Sequence, residues 1–459
     1  MIPTDTARSS WSSSILFVVV VAAAVVSLSN LWRLPYLLSE YGGGAFLLIY
    51  IGALLTMGLP LFSGQLLMAR GTRSDLPGVI AGWTRDAPHS RVWVWSGYLA
   101  VFGAALLLAA YSVIAGWSLA YSVRGVTGAL AVDSIADSSA RFVTFAVDSE
   151  RGFGWLLLFM CLITATAARG LRRGVQPVMR TLALCMLLAF LALLASAVLD
   201  VRAAAALHRL FAVDFAEMNW RGLFEALHQA FFTLSLGTGV VVAFGSYLPP
   251  DARIIRLSLA VIAIDLAAAL AAAFMLAVFV GGRDVALSAG LQSLFEVLPV
   301  ALAGGWQTPI MFVLVALVSV STAVALFEPV VQLVEHRTGS TRLRASVYSG
   351  VAVGCLGLLA LLSFGALSSL RLLGFDLFGW IMLAATRVIG PLTGLLLCVL
   401  LGRVLARRRL LAAWNGHERD GRAVGFALWH ILLRYPTRIA LVVVLAYALG
   451  ALTLIEWIW

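Results

Sequence analysis

Charged residues are scarce in this sequence. Only 12% of its 459 residues are Asp, Glu, Lys or Arg, whereas 62% are hydrophobic, and the mean hydropathy is +0.99. A soluble fold could not bury this much apolar surface, because it needs polar residues to cover its outside. The scarcity of charge therefore excludes an ordinary soluble protein and predicts a chain that has lipid as its solvent.

Cysteine and recognisable catalytic motifs are also nearly absent. The four cysteines, Cys161, Cys185, Cys355 and Cys398, lie inside apolar runs without CxxC spacing, which argues against a disulfide framework and against a metal site. We recognise no nucleophile–base pair, HExxH motif or P-loop, so we do not expect an enzyme. Residues 1–14 lack the features of a signal peptide, so the first apolar run is expected to span the membrane.

The sequence consists instead of apolar runs separated by short Gly-, Pro- or Arg-rich stretches. A bilayer core about 30 Å thick needs about 20 apolar residues per helix. We therefore predict an all-α polytopic membrane protein with about eleven transmembrane helices. The predicted helices cover residues 14–38, 44–69, 93–122, 153–169, 175–199, 223–247, 252–281, 307–335, 344–366, 374–402 and 436–458.

The formal net charge of +10 comes from arginines that cluster between the apolar runs. They form no basic soluble face, so we expect no nucleic-acid partner and interpret them as topology signals. The clusters fall on alternate connections, which predicts a cytoplasmic N-terminus and an outside C-terminus. The expected location is the inner (plasma) membrane, with the lipid bilayer crossed several times. Helices 1–5 and 6–10 would enter from opposite sides, as an inverted repeat requires.

Polar residues interrupt the first and sixth predicted helices near bilayer depth. The first is cut by residues 27–35, SLSNLWRLP, and the sixth by residues 233–239, TLSLGTG. Paired breaks in two halves indicate a midplane site, where helix N-termini receive anions and freed carbonyls receive cations. The alternative is a pair of kinks whose polar groups are satisfied by neighbouring helices. Arg33 is costly against lipid, so it should face a cavity or an acidic partner.

Four motifs follow one another in a specific order, namely Asn30–Tyr36 (NLWRLPY), Gly42–Phe46 (GGGAF), Gly58–Pro60 (GLP) and Phe231–Gly237 (FFTLSLG). In these motifs the chain resembles bacterial members of the neurotransmitter:sodium symporter family. The resemblance implies an inverted-repeat transporter core with unwound helices 1 and 6, in residues 1–402. A basic connection, 403–435, in which 423–433 could form an interfacial helix, and an eleventh helix, 436–459, would follow.

The resemblance implies two sodium sites. The first would lie beside the substrate and consist of the Val25 carbonyl, Asn30, Thr233 and Asp265. The family usually has Asn at the last position, and a carboxylate is a harder oxygen ligand for a small cation. The second would combine backbone carbonyls of the first and eighth helices with two adjacent hydroxyls, from Ala23, Val26, Val318, Ser321 and Thr322.

The resemblance also implies an amino-acid site. The substrate carboxylate would bind the freed backbone NH groups around Ser27 to Ser29 and the hydroxyl of Tyr111, which lies in the middle of its apolar run rather than at an interface. No acidic residue is present at Ser27 to pair a side-chain amine, which favours a neutral and apolar amino acid. The expected substrate-contacting residues are Val25, Ser27, Ser29, Leu107, Tyr111, Phe232, Thr233, Ser235, Thr238, Thr322 and Leu326.

Chloride is not expected to be required. The chloride-dependent members resemble this chain at Tyr50, Gln229 and Ser235 but have a serine where this chain has Ala269. Asp265 lies four residues earlier, one helical turn away. Its carboxylate can supply the negative charge that chloride otherwise supplies.

Gating residues match the family less well. The resemblance assigns Arg33 and Gln229 to an outer gate, for which Asp376 is the candidate acidic partner; the alternative role of Asp376 is a helix N-cap. At the inner face, Arg8 and Trp11 match an amino-terminal latch. His336 replaces the Asp expected there, so the neighbouring Glu335 would take over the ion pair.

These expectations combine into a sodium-coupled symporter that imports a neutral amino acid by alternating access. Two alternatives stay open. A transporter of the same fold could use a proton held by Asp265 in place of the first sodium ion, and a sensor could bind the amino acid without transporting it.

Overall fold

The computed structural model describes residues 10–132, 134–281, 290, 293–303, 305–371, 374–415 and 422–450. These residues are almost entirely helical, and the β-pairing among them is an isolated bridge between Gly43 and Val213. Arg8 and residues 451–458 of the predicted last helix lie outside the described residues. The prediction of an all-α fold is confirmed.

The first half of the chain begins with a broken membrane helix, helix 1, formed by α1 to α3. A π-helical turn, Leu54–Gly58, joins α4 to α5, and another, Leu171–Val175, precedes α10. The helices are α1 Ser14–Val25, α2 Leu28–Leu31, α3 Arg33–Glu40, α4 Gly44–Ala53, α5 Leu59–Ala69, α6 Leu76–Trp83, α7 Ser90–Val126, α8 Ile135–Val147, α9 Ser149–Ala168, α10 Gln176–Val198 and α11 Ala203–Phe211.

The second half begins with another broken membrane helix, helix 6, formed by α12 and α13. π-Helical turns at Ala384–Ile389 and Leu400–Val404 lie within helix 10, which comprises Leu377–Val404. The helices are α12 Trp220–Thr233, α13 Val240–Gly245, α14 Ile254–Val280, α15 Ser293–Ala301, α16 Gln307–Thr338, α17 Arg342–Leu362, α18 Leu377–Leu383, α19 Gly390–Val399, α20 Arg407–Asn415, α21 Arg422–Arg434 and α22 Pro436–Ala448.

Nine helical stretches in the described residues are long and apolar enough to cross a membrane. Helices 1 and 6 are not among them because each is broken, and α1 alone has only 12 residues. These two broken helices begin the two halves of the predicted inverted repeat. The other stretches are Gly44–Ala69, Ser90–Val126, Ser149–Ala168, Leu171–Val198, Ile254–Val280, Gln307–Thr338, Arg342–Leu362, Leu377–Val404 and Val424–Ala448.

Burial separates a central group of helices from a peripheral one. In the most apolar window of α16, 83% of the residues are buried, and α16 packs along α7. The corresponding share for Leu171–Val198 is 28%, and Leu184, Leu187 and Leu188 on that helix are exposed. An apolar residue on the outside of such a helix fits lipid rather than water. The central helices therefore hold the polar side chains that a membrane protein must shield.

The last apolar stretch differs from the predicted boundaries. It begins at Val424 and continues to Ala448, with a break at Tyr435. Pro436 causes the break, because its ring restricts the preceding residue and it offers no backbone N–H. Phe426 and Trp429 of α21 are buried, and the Trp429 indole donates a hydrogen bond to the Pro60 carbonyl. The connection predicted for residues 403–435 thus contains a helix that packs against the bundle.

Candidate functional site

Helix 1 is interrupted by two extended residues. Val26 has ψ of 99°, and Ser27 has φ of −118° and ψ of 174° before α2 begins. The hydroxyls of Ser27 and Ser29 lie 2.9 Å apart. The first N–H groups of a helix have no partner inside it, so α2 starts with donors that face the break. The break requires no left-handed backbone, so serine can occupy these positions and glycine is not needed.

Helix 6 is interrupted by a left-handed turn. Ser235, Gly237 and Gly239 have φ of 51°, 74° and 81°. A Cβ on Gly237 would lie 2.3 Å from the Gly390 carbonyl oxygen, so the close approach of helix 10 requires glycine there. The two predicted breaks are therefore present, and each has a different backbone cause.

The polar residues predicted for the first sodium site come together between the breaks. The Asn30 amide donates to one Asp265 carboxylate oxygen at 2.7 Å, and the Thr233 hydroxyl donates to the other at 2.8 Å. Thr233 also lies 3.2 Å from the Asn30 amide oxygen. All three side chains are buried, and Val25 ends α1 beside them. Two broken helices and α14 thus converge on one buried carboxylate.

Two of the residues predicted for the second sodium site, Ser321 and Ala23, also meet. The Ser321 hydroxyl of α16 donates to the Ala23 carbonyl at 2.5 Å, and the neighbouring Thr322 hydroxyl lies 3.4 Å from the Ala24 carbonyl. Val26 follows α1, and Val318 lies one turn before Ser321 and Thr322 on α16; both are buried. A hydroxyl in a membrane helix usually bonds its own backbone. Bonds to a different helix give the oxygen-rich setting that a small cation needs.

A cavity of about 330 Å³ adjoins these sites. Tyr111 and Leu107 of α7 line one side of the cavity. The Tyr111 hydroxyl is buried and has no hydrogen-bond partner among the described residues. Val25 and Thr233 do not line the cavity. Val25 is the last residue of α1, and the Thr233 hydroxyl bonds to Asp265 instead. Of the predicted contact residues, those that line it are Ser27, Ser29, Leu107, Tyr111, Phe232, Ser235, Thr238, Thr322 and Leu326.

Helix 10 contributes a wall that the sequence reasoning missed. Met382, Thr386 and Arg387 of this helix line the cavity, together with Phe375, which precedes the helix. There was little reason in the sequence to assign these positions to the substrate site, because helix 10 carries none of the four motifs. The charge of Arg387 inside a predicted membrane helix was the available signal, since such residues usually face a site.

Three of the four positions compared with chloride-dependent members are buried. The Tyr50 hydroxyl and the Gln229 side-chain amide have no hydrogen-bond partner, and Ala269 is fully buried. Ser235 belongs to the turn in helix 6. The carboxylate of Asp265 bonds to Thr233 and Asn30 within the same region. This region thus contains a carboxylate of the protein itself.

The acidic partner of Arg33 is Glu225, not Asp376. One Arg33 guanidinium nitrogen lies 2.5 Å from a Glu225 carboxylate oxygen, and Arg387 lies 3.1 Å from the other. Asp376 instead caps α18 by accepting a hydrogen bond from the Gly379 N–H at 2.7 Å. The prediction of Asp376 as the gate partner is wrong, because the start of a helix uses its carboxylate.

Gln229 does not complete this cluster of charges, because its amide has no hydrogen-bond partner among the described residues. His228 on the same helix occupies that place, with its Nδ1 2.9 Å from Arg33. The sequence contained a signal for both missed residues. Glu225 and His228 are three positions apart in a predicted membrane helix and so share one face.

The N-terminal end of helix 1 is closed by an aromatic cluster. The Trp11 indole donates to the Phe244 carbonyl at 3.0 Å and packs edge-on against Phe17, Phe244 and Tyr247. This places Trp11 between the start of helix 1 and the end of helix 6.

Glu335 lies beside an arginine that the sequence reasoning did not assign. Its carboxylate lies 3.2 Å from Arg342, whose guanidinium also bonds Glu328 at 2.6 Å. Arg8, the predicted source of positive charge at this end, lies outside the described residues. His336, the next residue, lies 2.7 Å from Asp75.

Several known proteins resemble this chain over nearly its whole length. The solved structure titled MhsT in complex with L-phenylalanine has a TM-score of 0.85 and 29% identity, covering 96% of this chain and 100% of MhsT. The uncharacterized sodium-dependent transporter YhdH of Bacillus subtilis is 29% identical over 450 residues, which are 96% of this chain and 98% of YhdH.

A more distant relative is the bovine sodium-dependent neutral amino acid transporter B(0)AT2. It is 28% identical over 278 residues, which cover 53% of this chain and 37% of the bovine protein. The model of the sodium:neurotransmitter symporter family matches residues 8–144 and 151–294, the part that contains both broken helices and Asp265. With its two breaks, its buried oxygen sites and this match, the chain belongs to the sodium:neurotransmitter symporter family.

Proposed function

We propose that this protein imports a neutral amino acid with an apolar side chain, coupled to two sodium ions, without a requirement for chloride. The observation that carries the proposal is the meeting of Asn30, Thr233 and Asp265 beside the cavity. Binding a cation there would hold both broken helices and α14 in one arrangement. A ligand can drive a conformational change only by binding the two states differently.

The cavity chemistry supports an amino acid as the substrate. The unpartnered Tyr111 hydroxyl and the start of α2 provide donors for a carboxylate. Phe232 and Leu326 provide apolar surface, whereas Thr238 has its hydroxyl bonded to the Ser235 carbonyl at 2.6 Å. Among the described residues that line the cavity there is no carboxylate. A cationic side chain would therefore be left unpaired, which favours a neutral substrate.

The relatives support the same substrate class. MhsT is solved with L-phenylalanine, and B(0)AT2 is named for neutral amino acids. Both names agree with a cavity that combines a carboxylate-binding end with apolar walls.

Chloride independence is supported by the Asp265 carboxylate, which carries a negative charge where two sodium ions and a zwitterion would otherwise leave an excess of positive charge. The Tyr50 hydroxyl and Gln229 amide remain donors that an anion could use. Replacement of chloride is therefore the decisive measurement.

The test is uptake into proteoliposomes that contain the purified protein. Radiolabelled L-phenylalanine, L-leucine and other neutral amino acids are offered with external sodium or choline, and with chloride or gluconate. We expect uptake that needs sodium and survives gluconate. Uptake that ignores sodium but follows a pH gradient would favour proton coupling at Asp265. Sodium-dependent binding without flux would favour a sensor.

A further inference from the structure

Four charged or polar residues connect three membrane helices at one end of the cavity. Glu225 of helix 6 uses its two carboxylate oxygens separately, one for Arg33 of helix 1 at 2.5 Å and one for Arg387 of helix 10 at 3.1 Å. The Arg33, His228 and Arg387 side chains line the cavity. The cluster therefore lies between the cavity and the surface opposite the Trp11 end of helix 1.

His228 adds a second link to helix 10. Its Nδ1 lies 2.9 Å from the Arg33 guanidinium, which can only donate, so Nδ1 accepts. Its Nε2 then carries the proton and donates to the Thr386 carbonyl at 3.2 Å. A neutral imidazole thus joins helices 1, 6 and 10 without adding charge to the cluster.

The two arginines differ in how easily they can leave. The side chain of Arg33 is 13% exposed and contacts both Glu225 and His228. The side chain of Arg387 is 36% exposed, with the Glu225 carboxylate as its ion-pair partner and Tyr447 5.9 Å from its guanidinium. When Arg387 separates from Glu225, the charge of the carboxylate is still compensated by Arg33. The Arg387 guanidinium, which is already partly exposed, then moves fully into water. Separating Arg33 would leave a less exposed charge unpaired, which is much more costly.

The backbone at Arg387 is suited to movement. Arg387 lies in the π-helical turn Ala384–Ile389, and Gly390 follows directly. A π-helical turn interrupts the regular hydrogen bonding of a helix and is frequent at functional sites. The segment that carries the more exposed cation is thus the irregular segment of helix 10.

We propose that the Glu225–Arg387 ion pair closes the outer end of the cavity, with Glu225 held by Arg33 and with Arg387 as the moving part. The gate then has its carboxylate on helix 6 and its mobile cation on helix 10. This inference rests on the proposed function, because a gate has a role only in a transport cycle. It predicts that loss of the pair opens the cavity without removing any residue from the sodium sites.

The experiment measures access to the cavity directly. Leu107, which lines the cavity on α7, is replaced by cysteine in a chain whose four natural cysteines are changed to alanine. The protein is placed in lipid nanodiscs in choline buffer, and the rate of labelling by a charged methanethiosulfonate reagent is measured. Sodium and substrate are absent, so the result does not depend on identifying the substrate.

The variants are Arg387→Gln, Glu225→Gln and their combination, with Arg387→Lys to keep the charge. We expect Arg387→Gln and Glu225→Gln to raise the labelling rate about tenfold, Arg387→Lys to restore most of the closure, and the double variant to add little. Arg202→Gln is the matched control, because Arg202 pairs with Asp200 at a distance of 2.7 Å and neither residue lines the cavity. It should label at the parent rate.

Unchanged labelling in both single variants would overturn the proposal, as would equal acceleration by Arg202→Gln. If Glu225→Gln fails to fold, the comparison of Arg387→Gln with Arg387→Lys decides alone. Uptake by the parent protein separates the two proposals. Absence of sodium-dependent uptake would overturn the proposed function, while faster labelling of Arg387→Gln would still support the ion pair as the closure of the cavity.

Discussion

The molecule has two buried carboxylates beside one cavity, and their surroundings differ. Glu225 faces two arginines at 2.5 and 3.1 Å. The described partners of Asp265 are the Asn30 amide and the Thr233 hydroxyl, neither of which carries charge. A buried charge without a counter-ion is costly. Asp265 is therefore suited to receive a cation from solution, whereas Glu225 already has its cations and is suited to join helices.

Replacement of Asp265 should have the largest effect and would test this difference most directly. Asp265→Ala removes the charge and both hydrogen bonds, so we expect sodium-dependent uptake to fall about a hundredfold, equivalent to about 2.7 kcal/mol. Asp265→Asn is the control, because it keeps the shape and restores the usual ligand of the family. It should retain uptake but make it sensitive to chloride. Uptake by Asp265→Ala close to that of the parent would contradict the cation role.

Removal of a hydroxyl from the second site should have a smaller effect. In Ser321→Ala the Ala23 carbonyl loses its 2.5 Å partner on α16. We expect the sodium concentration for half-maximal uptake to rise about tenfold. Ser319→Ala is a matched control, because its hydroxyl bonds Val315 on its own helix and Ser118 on α7. Equal sodium dependence of the two variants would exclude Ser321 as a ligand.

Loss of the Tyr111 hydroxyl in the cavity should weaken the binding of the substrate rather than the binding of sodium ions. Tyr111→Phe removes an unpartnered donor and keeps the ring. We expect the Kd of the transported amino acid to rise about tenfold, with little change in sodium dependence. Tyr121→Phe, two turns or more along the same helix and packed among aromatic rings, provides the comparison. A similar loss of affinity in both would show a general packing defect.

The smallest effect is expected from replacement of a carboxylate that lies outside the membrane-spanning helices. Asp75 lies 2.7 Å from His336 and 3.9 Å from Arg337. Burial raises the pKa of Asp75, but the hydrogen bond and charge of His336 and the charge of Arg337 lower it more, so the net pKa is below its usual range. A lowered pKa means that the carboxylate stabilises the fold at neutral pH, and that this stabilisation is lost as the pH falls below about 4.

Asp75→Asn should therefore reduce the free energy of unfolding by about 1 kcal/mol at pH 7 and leave sodium-dependent uptake nearly intact. Thermal unfolding in detergent at pH 7 and at pH 3 measures this. The difference between variant and parent should shrink at the lower pH. A constant difference, or a loss of uptake comparable to that of Asp265→Ala, would show that this pair does more than stabilise.

Much of the site could be predicted because its residues are adjacent to motifs. Asn30, Thr233 and the hydroxyl pair Ser321–Thr322 occur at positions that the family pattern assigns, and the structure brings Thr233 to Asn30 and Ser321 to Ala23. Asp376 failed because a carboxylate just before a helix can cap it or pair with a distant arginine. Only the geometry distinguishes these two uses.

By itself, the sequence determined that the chain lies in lipid, where it is helical, and that helices 1 and 6 are broken. Hydropathy and helix-breaking residues are local properties, so they can be read along the chain. The tertiary structure decided which charges meet. Glu225 is 192 positions from Arg33 and 162 positions from Arg387, and no local pattern specifies such pairs. Their meeting depends on how the helices pack, which is why this cluster of charges became visible only in the folded chain.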